Sequence, residues 1–221
     1  MKLNRVFVIN LLLIVGIFAL SIWAWVQLPA DAQIPTRFDF DGSPTAYMGK
    51  LGGLFLLPAM TLAFAITELI LPKIEPNRNN IRRSLKAHNI FSVALIVFFA
   101  IIHLTIVLSA FDKSINTTNI VTTALGVFMV ITGNYLSKIR RNHSFGFRTP
   151  WTISSELAWH KTHRLASWLT VIHGFTLIVT GLISSAILPI IILISFVALD
   201  IIVLPIYSYY LWKSDPKRLS D

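Results

Sequence analysis

The chain of 221 residues contains no cysteine, which excludes disulfides, thiolate metal centres and a cysteine nucleophile. Charge is scarce as well. Only 13% of residues are Asp, Glu, Lys or Arg, against about 25% in an average soluble domain. That is too little to cover a water-facing surface, and it argues against a soluble globular domain. Disorder needs low hydrophobicity, whereas 55% of this chain is hydrophobic. No G-x-S-x-G elbow, other nucleophile–base motif or phosphate-binding glycine loop is present, so no enzymatic activity and no cofactor is expected.

What the chain has is long apolar runs. A helix crossing the roughly 30 Å hydrocarbon core needs about 20 mostly apolar residues. Six segments qualify: Val6–Leu28, Leu51–Leu71, His88–Phe111, Asn119–Leu136, Leu165–Ser184 and Pro189–Trp212. Ser184, Ser185 and Pro189 mark the break between the last two. The fold class expected is all-α: a single membrane domain of six transmembrane helices with a short interfacial helix. It divides into a two-span unit, 1–72, whose loop 29–50 lies outside, and a four-span unit, 88–221, whose loop 137–164 lies inside.

The basic residues explain the net charge of +9. They gather before the first span, at Lys2 and Arg5. They gather again at 73–86, 138–164 and 213–218, leaving only Arg37, Lys50 and Lys113 on the other side. The positive-inside rule then places both termini in the cytoplasm, and no nucleic-acid partner is needed. Ala30 and Ala32 form an A-x-A-like cleavage site, which keeps a signal peptide as an alternative. The first apolar run exceeds the roughly 7–15 residues of such a segment, and it ends in the interface anchors Trp23 and Trp25. The basic stretch Lys73–Lys86, with Pro72 and Pro76, reads as a cytoplasmic loop attracted to anionic lipid.

Alternation from Ile34 to Phe40, followed by Asp41-Gly42, predicts a short strand and a tight turn outside. Phe38 and Phe40 rest on the bilayer or cap the bundle. Asp39, Asp41 and Gly42 form half a calcium loop without the rest, so they read as a solvated turn. Inside, Thr149 precedes Pro150 and disfavours helix there. Thr152 or Ser154 is placed to cap a helix with Glu156 in its first turn. Phe145, Phe147, Trp151 and Trp159 are expected at headgroup level, with Arg148 reaching phosphates. Glu156, His160 and His163 have the spacing of a metal triad, but H-E-x-x-H is missing, and a solvated, ion-paired face is the expectation.

Three elements of this inner region resemble the signature of the SdpI (SdpI/YfhL) family. They are Gly133-Asn134-Tyr135, Asn142, and Gly146-Phe147-Arg148-Thr149-Pro150-Trp151-Thr152 followed by Trp159. Leu28-Pro29, Ile34-Pro35-Thr36-Arg37-Phe38 and Gly42 resemble a small membrane domain of unknown function that begins many such proteins. The resemblance implies a bacterial multi-pass protein of the cytoplasmic membrane. The implied function is immunity to a secreted, membrane-active antimicrobial peptide, coupled to signalling by holding a cytoplasmic repressor at the membrane. The implied partners are lipid, a peptide toxin and a repressor protein. Asn134, Asn142, Gly146, Arg148, Thr149, Pro150, Trp151 and Trp159 are the candidate contact residues. No role is assigned to His163.

Ionisable groups within spans cost about 2.5–3.5 kcal/mol at the helix centre on insertion scales. Asp200 lies mid-way along the sixth span, where Pro205 frees the carbonyl of Ile201. His173 lies mid-way along the fifth and His103 towards the outer end of the third. Glu68 lies near enough to an inner end to snorkel. Asp200 with His173 or His103 forms either an interior site for a peptide or proton, or a polar contact that fixes helix register. The second is the commoner arrangement in membrane bundles. The rivals to immunity are therefore a proton-coupled transporter or channel, and a membrane sensor without protective activity. Small-residue stripes on the fourth span (Thr122, Gly126, Gly133) and fifth span (Ser167, Thr170, Gly174, Gly181, Ser184) are packing faces.

Overall fold

A computed structural model describes residues 5–39, 41–111, 115–183 and 188–218, the side chain of Ile190 excepted. Phe40, Lys113, Lys2, Ser184 and Ser185, used above, lie outside them. The described chain runs α1 (Arg5–Gln27), β1 (Gln33–Phe38), β2 (Pro44–Gly49), α2 (Lys50–Ile74), α3 (Arg78–Ala110), α4 (Thr117–Leu136), α5 (Pro150–Ser154), α6 (Glu156–Ile183) and α7 (Leu188–Lys213). Six of these helices are long and apolar enough to cross a membrane. The protein is an all-α multi-pass bundle of the cell membrane.

Two helices extend past the expected spans. α3 begins at Arg78, so most of the basic stretch is helical and only residues 75–77 link it to α2. Pro76 breaks the chain there, and Asn77 begins the next helix with its carbonyl accepting from Asn80 and Ile81 N–H. α6 begins at Glu156, so no separate interfacial helix leads into the fifth span. The short helix is α5, five residues long and just before α6, and the break between them falls at extended Ser155.

The end of the bundle between α1 and α2 is closed by a hairpin. β1 pairs antiparallel with β2, a partner strand that the sequence reading did not anticipate. Gly42, at φ +87°, makes the turn, and Asp41 Oδ1 accepts Ser43 N–H at 2.8 Å. The side-chain and backbone hydrogen bonds of Ser43 hold the Asp41 carboxyl below its ordinary range. The turn docks on the start of α4, where Thr118 Oγ1 donates to Asp39 O at 2.8 Å. Ile34, fully buried, caps the bundle with Ala24, Leu54 and Val107. A Cβ on Gly53 would lie 2.3 Å from the Ile34 Cβ, so only glycine allows this approach.

Inside the bundle, α1, α2 and α3 meet at one polar junction. Pro58 has no N–H, so the carbonyl of Leu54 loses its helical donor. Ser21 Oγ donates to that carbonyl at 2.8 Å and lies 2.8 Å from His103 Nε2. With its one proton given to Leu54, the hydroxyl accepts from His103. α4 and α6 pack through the two small-residue stripes. A Cβ on Gly126 would lie 2.6 Å from Gly174 O, and a Cβ on Gly174 would lie 2.7 Å from Gly126 O. Backbone approach this close is what small residues permit between membrane helices.

Candidate functional site

The loop 137–149, α5 and the start of α6 form a cap over the end of the bundle where α4 ends and α6 begins. It is built on three buried anchors. The first is Glu75, which follows α2 and is fully buried. It accepts from the Ser144 hydroxyl, from His143 N–H at 3.1 Å and from Asn77 N–H at 3.2 Å. The His143 ring lies 3.5 Å away. Burial pushes this carboxyl up, and the hydrogen bonds from Ser144, His143 and Asn77 outweigh it, so its pKa falls below the usual range.

The second anchor is Asn142. Its Oδ1 accepts Ser144 N–H at 2.9 Å and Phe145 N–H at 2.6 Å, while its Nδ2 donates to Arg140 O at 2.8 Å. All three bonds are local, which makes Asn142 the template of the turn.

The third is His163. Its Nδ1 lies 2.8 Å from Trp159 O, and its Nε2 accepts Phe147 N–H at 2.9 Å. A carbonyl can only accept and an amide N–H can only donate, so the imidazole is neutral with its proton on Nδ1. Gly146 has φ +110°, and a Cβ there would meet His163 Nε2 at 2.6 Å. The glycine lets the chain pass over the ring. His163 is thus fully buried, which corrects the expectation of a solvated Glu156–His160–His163 face. Glu156 lies 3.8 Å from His160, while the His163 ring is turned into the cap.

The remaining motif residues shape the chain just before α6. Thr149 and Thr152 form a reciprocal capping box around Pro150 at the first helical position. Thr152 Oγ1 donates to Phe147 O at 2.9 Å, and Thr149 Oγ1 lies 3.1 Å from Ser208 on α7. The caps are therefore Thr149 for α5 and Ser155 for α6, not Thr152 or Ser154. Ser155 Oγ accepts Ala158 N–H at 3.0 Å and donates to Asp215 at 2.5 Å. That bond, with Lys217 N–H, holds the Asp215 carboxyl below its ordinary range.

The aromatic residues divide. Trp159 is fully buried, stacked on His163 at 4.1 Å, with Nε1 donating to Ile139 O at 2.8 Å. Phe145 packs on Phe91 and His88. Both pack inward, where each fills the cap's own core and Trp159 supplies the donor that a loop carbonyl needs. Trp151 is half-buried against Tyr209 of α7 at 5.4 Å. Arg148 is exposed and donates to His143 O. Asn134 is exposed on the last turn of α4. A cavity of about 340 Å³ opens beneath the cap, lined by Phe145, Gly146, Arg148, Gly133, Thr132 and Thr170 among others.

The intramembrane groups do not form one cluster. His173 lies 3.5 Å from Asp200 and stacks on Phe196 at 3.7 Å, joining α6 to α7. His103 belongs to the Ser21 junction instead. Glu68 does not snorkel: it is buried, 2.9 Å from His88 of α3.

Sequence comparison matches residues 138–208, which hold the cap from Lys138, α6 and most of α7, to the SdpI/YfhL protein family. The C-terminal half of the chain carries an SdpI/YfhL segment. Residues 12–62, which hold most of α1, the hairpin and half of α2, match a domain of unknown function, DUF1648. The chain is 26% identical over 206 residues to the Immunity protein SdpI of Bacillus subtilis (strain 168), covering 93% of this chain and 95% of that protein. No solved structure matches the chain. The SdpI/YfhL segment contains two of the three anchors of the cap, Asn142 and His163, while Glu75 lies outside it. His163 is the residue that the sequence reading passed over; its signal was the Gly146-Phe147 pair sixteen to seventeen residues before it, which nothing in the sequence joins to a histidine.

Proposed function

We propose that this chain is a membrane immunity protein that protects the cell making a secreted, membrane-active peptide from that peptide. The observation that carries the reading is the similarity to the Immunity protein SdpI along nearly the full length of both chains. The architecture supports a mechanism. The peptide enters the outer leaflet, meets the hairpin and the outer ends of the helices, and is held there instead of permeabilising the bilayer. α6 runs unbroken from the outer end to the cap, so displacement at one end moves His163, Trp159 and the loop resting on them. The exposed Arg148 and half-buried Trp151 then engage a cytoplasmic repressor, which is the signalling arm of the proposal. Expression in a peptide-sensitive strain should raise survival under purified peptide; unchanged survival counts against immunity.

A second reading rests on the His173–Asp200 pair. Asp200 Oδ1 is buried without a hydrogen-bond partner, as a proton-carrying carboxyl in a transporter would be. It requires flux in proteoliposomes that Asp200→Asn abolishes. Protection without flux removes it. A sensor without protective activity requires Arg148→Ala with Trp151→Ala to abolish repressor pull-down while survival stays at the level of cells lacking the protein.

A further inference from the structure

A hollow of about 540 Å³ opens between the last turn of α4 and the first turns of α6, lined among others by Asn134, Lys138, His160, Arg164, Trp168 and Val171. Its lining contains two cations and no carboxylate. Among the described residues neither Lys138 nor Arg164 forms an ion pair. Lys138 Nζ sits over the Tyr135 ring at 4.1 Å, which leaves its donors available. Glu156, outside the lining, pairs with Arg141 and lies 3.8 Å from His160. Ser167 is already satisfied, donating to Gly133 O at 2.6 Å.

The hollow is graded along the membrane normal. His160, Arg164, Trp168 and Val171 follow one face of α6, and the seven residues from Arg164 to Val171 descend about 10 Å towards the bilayer centre. The polar groups thus stand at headgroup depth. Trp168, 63% exposed, forms an apolar wall directly beneath them, where acyl chains begin. Unneutralised cations on the rim of a hydrocarbon phase attract a counter-anion, and basic pockets between membrane helices on the cytoplasmic side suit phosphate headgroups.

We propose that this hollow is a binding site for an anionic phospholipid of the inner leaflet. Lys138 and Arg164 hold its phosphate, Asn134 and His160 supply further hydrogen bonds, and Trp168 packs on the acyl chain. The shared chemistry, a phosphate anion, is also offered by soluble phosphate, and the test separates the two. The full chain in neutral detergent is titrated with phosphatidylglycerol, phosphatidylcholine or inorganic phosphate. Bound adducts are counted by native mass spectrometry, and folding is followed by thermal unfolding.

Phosphatidylglycerol should bind and raise the melting temperature, and phosphatidylcholine should not. Inorganic phosphate should fail to displace the lipid at millimolar concentration. Each charge removed near the surface weakens binding about fivefold, so Lys138→Gln with Arg164→Gln should cost roughly 25-fold in affinity. Trp168→Ala should weaken the lipid adduct too. Arg82→Gln with Arg83→Gln, which removes two exposed charges elsewhere on the same end, should leave affinity unchanged. Equal losses from both double variants would overturn the site in favour of diffuse attraction. So would equal binding of the two lipids, or phosphate binding as tightly as the lipid. If the hollow's cations serve only the carbonyl end of α4, their removal lowers the melting temperature equally with and without phosphatidylglycerol, which also overturns the proposal.

Discussion

Phe147 donates its backbone N–H to His163 Nε2 at 2.9 Å, and the ring can accept it only because Gly146 carries no Cβ. This contact joins the Gly146–Thr152 run to the helix that follows it. It is the reason a glycine stands at the head of that run.

His163→Ala leaves a buried amide without an acceptor, a cost of about 1–3 kcal/mol. Gly146→Ala adds an unfavourable φ and a clash with the imidazole, about 1–3 kcal/mol for the backbone alone. Both variants should melt lower in detergent, and both should be cut faster by trypsin after Arg148. Unchanged proteolysis in both would show that the bond does not order the loop.

The cap should loosen in acid. The pKa of Glu75 is depressed in the folded state, so its contribution is present above the ordinary glutamate range and is lost as pH falls through the lower folded value. Glu75→Gln should remove that acid dependence and destabilise the cap by about 1–3 kcal/mol at neutral pH. The His143 ring is the titratable group that faces it, so His143→Ala serves as the control and should retain the acid-labile phase. Melting curves from pH 7 down to the acid limit of the detergent read both.

Ser21 is coupled to Pro58 through the carbonyl of Leu54. Ser21→Ala should cost about 1–2 kcal/mol, since it strips both Leu54 O and His103 of a partner. In a Pro58→Ala background the helix supplies the missing N–H to Leu54 O, and the same change should cost measurably less. A double-mutant cycle with additive effects would contradict the junction as described.

The close approach of α4 and α6 leaves no room for side chains at Gly126 and Gly174. Gly126→Leu should prevent stable folding, whereas Gly16→Leu, with open space around its Cβ position, should fold normally. Yield of monodisperse protein after size exclusion distinguishes them.

Because no cysteine is present, single introduced thiols report orientation without background. Tyr47→Cys on the exposed hairpin should react with an impermeant maleimide applied to intact cells. His143→Cys in the cap should react only after permeabilisation. Reversed labelling would overturn the positive-inside assignment together with the inner-leaflet lipid site.

Six apolar segments, the charge that flanks them and the carbonyl freed by Pro205 were all legible from the amino-acid sequence, because a bilayer imposes one length and one polarity on every element that crosses it. The small-residue stripes on the fourth and fifth spans were legible for the same reason: only close backbone contact explains them. What tertiary structure alone decided is which residues meet. Trp159 and Phe145 read as interface aromatics until the cap closed over them. Glu68 and His103 read as candidates for function until His88 and Ser21 met them. His163 gained its role from an amide sixteen residues away. Hydropathy is a property of each segment by itself, whereas a hydrogen bond across helices depends on rotation and depth, which are set by packing against neighbours that no single segment specifies.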